Sequence, residues 1–152
     1  MIDGLQTWGD VKVPVNVYFN FNGNCKEVVE YYAEVFGLGT PEISKFGDMP
    51  ENPNFVVPDD MKELVMHARL NVHGSTVMFS DSMPNSPVTF GKNIALAVVT
   101  GDKEKLKAEF NDLAKDGKVS MPLQETFWSP SYGVLEDKFG VVWQFRYEEG
   151  AE

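Results

Sequence analysis

The chain has 152 residues, with 13 basic against 23 acidic side chains and a formal charge of −10. That balance argues against unaided binding of nucleic acid, which needs basic surface to displace counterions, and against docking on anionic membranes. The length suits a single domain (1–152) burying roughly 68–70% of its unfolded surface, and no apolar run nears the ~18 residues of a membrane span. Cys25 is the only cysteine, so no internal disulfide is possible. Together with an N-terminus lacking a charged n-region and an apolar h-region, this reads as a cytoplasmic protein.

Val13 to Phe21 alternates: Val15, Val17, Phe19 and Phe21 point one way, Asn16, Tyr18 and Asn20 the other. A helix follows, with Asn24 as N-cap and Glu27 three residues on. Val28, Val29, Tyr32, Val35 and Phe36 form its apolar stripe, and Gly37 is its stop. Cys25 opens this helix, where the macrodipole lowers a thiol pKa; a small buried residue is the favoured reading. A strand near Glu42 to Phe46 precedes a loop from Gly47 to Asp60 that carries Pro50, Pro53 and Pro58. Leu64 to Val72 and Ser75 to Asp81 read as strands joined at His73-Gly74. His73, in that turn, is expected to be solvent-exposed.

Pro84, Asn85 and Pro87 mark a linker over roughly 83–91, and the order then repeats. Asn93 to Val99 is a strand, with Ile94, Leu96 and Val98 on its helix side. Asp102 caps a helix whose stripe is Leu106, Phe110, Leu113 and Ala114 and which ends at Gly117. Its charges, Glu109 among them, read as a solvated face. Val119 to Phe127, Tyr132 to Glu136 and Val141 to Tyr147 supply three strands. The expected class is α+β: two βαβββ modules, roughly 13–82 and 92–147, whose curved mixed sheets surround a cavity. The polar faces of the first strands line it, which makes Asn16 equivalent to Asn93. In the closing strands Met78 is equivalent to Gln144.

Several stretches carry a resemblance. They are Phe19-Asn-Phe-Asn-Gly-Asn-Cys, Tyr32-Ala-Glu-Val-Phe-Gly, Met66-His-Ala-Arg-Leu, Met78-Phe-Ser-Asp-Ser-Met-Pro, Met121-Pro-Leu-Gln-Glu-Thr-Phe-Trp and Asp137-Lys-Phe-Gly-Val-Val-Trp. With them the chain resembles the PhnB-like subgroup of the glyoxalase / bleomycin-resistance / extradiol-dioxygenase group, the vicinal-oxygen-chelate superfamily. The resemblance implies the glyoxalase-like fold and a homodimer. Metal-dependent relatives place His, Glu or Gln at four positions, which here hold Asn16, Met78, Asn93 and Gln144. Asn is an uncommon ligand and Met suits soft metals, whereas a catalytic divalent site normally takes three His or carboxylate ligands. No cofactor is therefore expected, with a divalent metal as the minor alternative.

His67 shares a face with Arg69 and Asn71. It is the candidate general base, against the reading of a hydrogen-bonded structural histidine, and its strand pattern leaves the face open. Glu125 is the candidate acid–base partner. The stretch Gln124 to Gly133 is polar and aromatic, the usual design of a small-ligand wall. Asp81 and Asp137, at turn-like spots, are expected to hold backbone amides. No glycine-rich phosphate loop or strand–GxGxxG–helix unit is present, so methyl transfer is not expected; a Gly-x-Ser-x-Gly nucleophile elbow is absent as well. The function expected is small-molecule binding in the inter-module cavity without a catalytic metal, through Asn16, Tyr18, Met78, Asn93, Trp128 and Gln144. The alternative is a lyase, isomerase or dioxygenase-type enzyme, metal-dependent or not, using His67 and Glu125.

Overall fold

The fold was taken from a computed structural model, which describes residues 14–151. Val13 and the N-terminal stretch read above for a leader lie outside the described residues. Among the described residues, alternation and helical spacing produce two successive modules. The first runs β1 (Val17–Phe21), α1 (Cys25–Val35), β2 (Ile43–Lys45), β3 (Val65–Val72) and β4 (Ser75–Asp81). The second runs β5 (Leu96–Thr100), α2 (Lys103–Ala114), β6 (Lys118–Thr126), β7 (Ser129–Glu136) and β8 (Val142–Tyr147). Each module makes a four-stranded mixed sheet, in the orders β1-β4-β3-β2 and β5-β8-β7-β6. The first strand of each is parallel to its closing strand, and the rest are antiparallel. The expected α+β duplication is therefore present.

The sheets share one core on their helix sides. Tyr32 on α1 packs against Phe79 of its own sheet and edge-on against Trp143 of the other, at centroid distances of 6.1 and 5.4 Å. Phe36 also meets Trp143 at 5.4 Å. Phe110 on α2 packs edge-on against Phe145. Polar bonds tie the halves as well. The Tyr31 hydroxyl donates to the Asp112 carbonyl at 2.9 Å, and the Tyr32 hydroxyl donates to Asp137 Oδ2 at 2.5 Å. With the helix sides joined, each sheet turns its other, concave face outward.

Two helix starts are satisfied differently. Asp102 caps α2 as expected, accepting from Lys105 N at 3.0 Å. Asn24 occupies the N-cap of α1 without a side-chain bond. Asp81, distant in sequence, takes over: Oδ1 accepts from Gly23 N and Cys25 N at 2.8 and 3.0 Å, and Oδ2 from Val65 N at 2.9 Å. Gly37 has φ +64, the left-handed stop predicted for α1. Strand ends also differ from expectation. Val15 and Ile94, read as helix-side residues, precede β1 and β5 and are exposed, so burial begins only at Phe19 and Leu96.

His73 is not exposed. It adopts φ +49 in the β3–β4 turn, and the turn carries its ring inward, edge-on to Phe36. Its Nε2 lies 2.7 Å from Glu109 Oε2, with the two side chains only 12% and 4% exposed. Glu109 therefore belongs to the buried stripe of α2, not to its solvated face. Removing one member of a buried pair strands the other and costs about 3–5 kcal/mol. His73→Ala should lower the melting temperature by roughly 10 °C. Adding Glu109→Leu should recover part of the loss, as thermal unfolding would record.

Cys25 is fully buried, and burial, aided by the Asp81 charge, raises its thiol from the ordinary 9.0 to about 12. The Tyr32 hydroxyl is likewise held well above 10.0, first by burial and then by Asp137. Both groups are neutral in the folded chain, and their unfolded forms ionise at lower pH. Their contribution to stability is complete below pH 9 and is lost as pH rises from there. A thiol reagent at pH 8 should leave Cys25 unmodified until the chain unfolds, and denaturant stability should decline above about pH 9.

Candidate functional site

Strand register builds each concave face. On the first sheet Tyr18 stands opposite Met78, which stands opposite Arg69; Asn20 faces Ser80, and Ser44 faces His67. Ala68, Leu70 and Val72 are buried on the helix side, so alternation places His67, Arg69 and Asn71 on the concave side. This settles the face of His67. The Tyr18 and His67 rings lie 6.1 Å apart, and Ser80 Oγ donates to Asn20 Oδ1 at 3.0 Å. Ser44, His67, Arg69 and Asn71 line a pocket of about 300 Å³, with Glu42 at its rim.

On the second sheet Ala97 stands opposite Gln144, and Val99 opposite Arg146. Arg146 in turn faces Tyr132, which faces Gln124. Trp128 occupies the exposed β6–β7 turn, edge-on to Tyr132 at 5.3 Å and to Phe127 at 4.7 Å. The aromatic wall read from this stretch thus exists as an open edge of the sheet.

Between the modules runs a groove of about 780 Å³, flanked by β1 and β5 and lined in part by Trp143. Tyr18 and Asn93 reach it, but Met78, Gln144 and Trp128 do not. The expected residues are therefore split among three places: the first concave face (Tyr18, His67, Met78), the second (Gln144, with Trp128 at its edge), and the groove. Asn16 is exposed just before β1. Glu125 lies exposed on β6 of the other sheet from His67, so the structure does not bring the acid–base pair together within one chain.

Register also corrects the equivalence of Asn16 with Asn93. Gly74 and Gly140, at φ +82 and +86, each lead into a closing strand, and Met78 and Gln144 occupy matching positions beyond them. Their parallel neighbours are Tyr18 and Ala97. Asn16 therefore matches Ala95, and Asn93 falls two residues too early. With either residue, the four positions offer amides, a thioether and at most one further polar group. They contain no imidazole or carboxylate, so the donor set does not fit a catalytic divalent cation. Among the described residues no three His, Cys, Asp or Glu side chains gather as a metal site requires.

The aspartates act as structural anchors. Asp137 Oδ1 accepts from Phe139 N and Val141 N at 2.9 and 3.1 Å; Oδ2 accepts from Trp143 Nε1 at 2.9 Å and from Tyr32. Asp81 holds the three amides described above. Sequence reasoning singled out His67 but passed over its neighbour Arg69. The available signal was arginine at i+2 from the histidine on an alternating strand.

Paired βαβββ modules with open curved sheets and this duplicated register define a protein of glyoxalase-like fold. A family model described as 3-demethylubiquinone-9 3-methyltransferase matches residues 13–146, and the chain belongs to that family, as a PhnB-like member. It is 33% identical over 140 residues to Protein YjdN of Escherichia coli K12, covering 88% of this chain and 95% of that protein. The solved protein PA1353 of Pseudomonas aeruginosa is 38% identical with a TM-score of 0.78, covering 91% of this chain and 99% of that one. A Bacillus cereus PhnB protein is 29% identical with a TM-score of 0.68, over 88% and 98% of the two chains.

His67 is half-buried and makes no side-chain hydrogen bond among the described residues. His67→Ala should therefore cost about 0.5 kcal/mol or less and move the melting temperature by no more than ~2 °C. A loss near that of His73→Ala would make His67 structural.

Proposed function

We propose that the protein binds a small molecule on its concave faces without a catalytic metal, and that a homodimer completes the cavity between modules. The observation that carries this reading is the state of those faces. They present Tyr18, His67, Arg69, Gln144 and Trp128 outward, and on the first face His67 and Arg69 line a pocket of about 300 Å³. A few polar groups converging beside aromatic walls are the usual make-up of a ligand site.

The homodimer is supported by the groove. Its flanks β1 and β5 are both edge strands. Neither Val15–Phe21 nor Asn93–Thr100 contains a charged residue, and Val15, Val17, Ile94 and Val99 are exposed along them. Edge strands that stay unpaired are normally guarded by charge or kinked, and exposed apolar patches mark interaction surfaces. In a symmetric pair, the first sheet of one copy can meet the second sheet of the other.

The family description names a methyltransferase, but the strand-to-helix turns do not favour cofactor phosphate or carboxylate binding. Asp81 and Asp102 already occupy the amides at the starts of α1 and α2. One observation favours a second reading, a metal-independent lyase or isomerase: His67 sits on the open face beside Arg69 and Tyr18, where a base would meet substrate.

The chain should migrate as a dimer in light scattering, and Val17→Lys should convert it to a monomer of 17.0 kDa. In the dimer, thermal-shift screening should find small-molecule ligands for protein purified without chelator. Stoichiometric zinc, nickel or manganese in that protein would overturn the metal-free reading, and no shift with any ligand would overturn binding.

A further inference from the structure

We propose that the concave face of the first sheet is an oxyanion subsite, with Arg69 as its fork and His67, Ser44 and Asn71 as accompanying donors. The ligand class would be small molecules carrying a carboxylate or phosphate-type group on an apolar or aromatic body. The proposal rests on the binding reading above and specifies what is bound.

Charge sets this face apart. The chain carries 23 acidic residues, yet the strand positions that build this face are Tyr18, Asn20, Ser44, His67, Arg69, Asn71, Thr76, Met78 and Ser80, none of them acidic. Of its 13 basic residues only two are arginines, Arg69 and Arg146, and each lies on a concave face. Several lysines are neutralised locally: Lys45 by Glu63, Lys62 by Asp59, Lys92 by Glu136 and Lys115 by Asp112. Arg69 is different. Among the described residues it has neither an ion-pair nor a hydrogen-bond partner, although the protein bears ten excess negative charges. Glu42 lines the same pocket but does not reach it.

Chemistry then selects the ligand. A guanidinium presents planar, paired N–H donors that match carboxylate and phosphate oxygens, which a lysine cannot reproduce. Ser44 and His67 stand opposite each other across β2 and β3. With Asn71 they add donors around a pocket of about 300 Å³, enough for a head group with the body lying toward Tyr18. Arg146 is the weaker candidate, because Glu148 already lies 3.5 Å from it.

Calorimetric titration of the full-length protein with benzoate, phenyl phosphate and neutral benzamide tests this. At least one anion should bind, with benzamide on the order of tenfold weaker or more. Arg69→Gln and Arg69→Lys should each weaken the anion by about tenfold. Lys107→Gln, an equal charge change on α2, should leave it unchanged, and Glu42→Gln should tighten it. Which anion wins separates a carboxylate from a phosphate ligand. Equal binding of benzamide, or an Arg69→Gln protein that binds as well as wild type, would overturn the oxyanion subsite while leaving ligand binding intact. The same holds if uncharged ligands shift the melting temperature but neither anion binds. No binding by any probe or library compound would overturn both.

Discussion

One carboxylate joins the two halves of this molecule. Asp137 is buried, and its two oxygens take four donors: two amides of its own turn, the Trp143 indole, and the Tyr32 hydroxyl from the other module. A buried charge is tolerable only when its hydrogen bonds are met, and the fourth donor exists only if α1 lies against β8. The Tyr32 and Phe36 rings pack on Trp143 in the same place. Polar and apolar terms thus favour one docking of the modules, helix side to helix side. The His73–Glu109 pair adds a second buried tie between them.

That docking determines where function can reside. Once the helix sides are joined, the concave faces point outward and the edges β1 and β5 stay unpaired. A chain arranged this way presents two concave faces and an uncharged seam. The duplicated module therefore accounts for both the position of the candidate site and the expectation of a second copy. Divergence between the halves then sets the chemistry: Tyr18, His67 and Arg69 on one face correspond in position to Ala97, Tyr132 and Val134 on the other.

The elements were legible because each rests on local pattern. Ser75–Asp81 follows from alternation after a glycine turn, and α2 from Asp102 and the spacing of Leu106, Phe110 and Leu113. Glu109 was legible too, since it lies three residues beyond Leu106 on that stripe, but charge suggested solvent. The inward turn of His73 was not, because its partner is supplied by tertiary contact. Neither was the α1 cap, where Asp81 substitutes for Asn24 across the sheet. Matching Asn16 to Asn93 failed by two residues: the β5–α2 turn is one residue shorter than the β1–α1 turn, which accounts for one of them, and aligned asparagines do not reveal strand register. Arg69 was visible, yet its meaning depended on knowing which strand neighbours surround it and that Glu42, the acid lining its pocket, does not pair with it.

Joined in this way, the two modules form a single cooperative core. Thermal unfolding followed together by calorimetry, far-ultraviolet dichroism and the fluorescence of buried Trp143 tests this directly. One transition, coincident by all three probes, is predicted. Two separable transitions, or loss of the Trp143 signal while half of the sheet signal persists, would show modules that fold independently and would contradict the shared core.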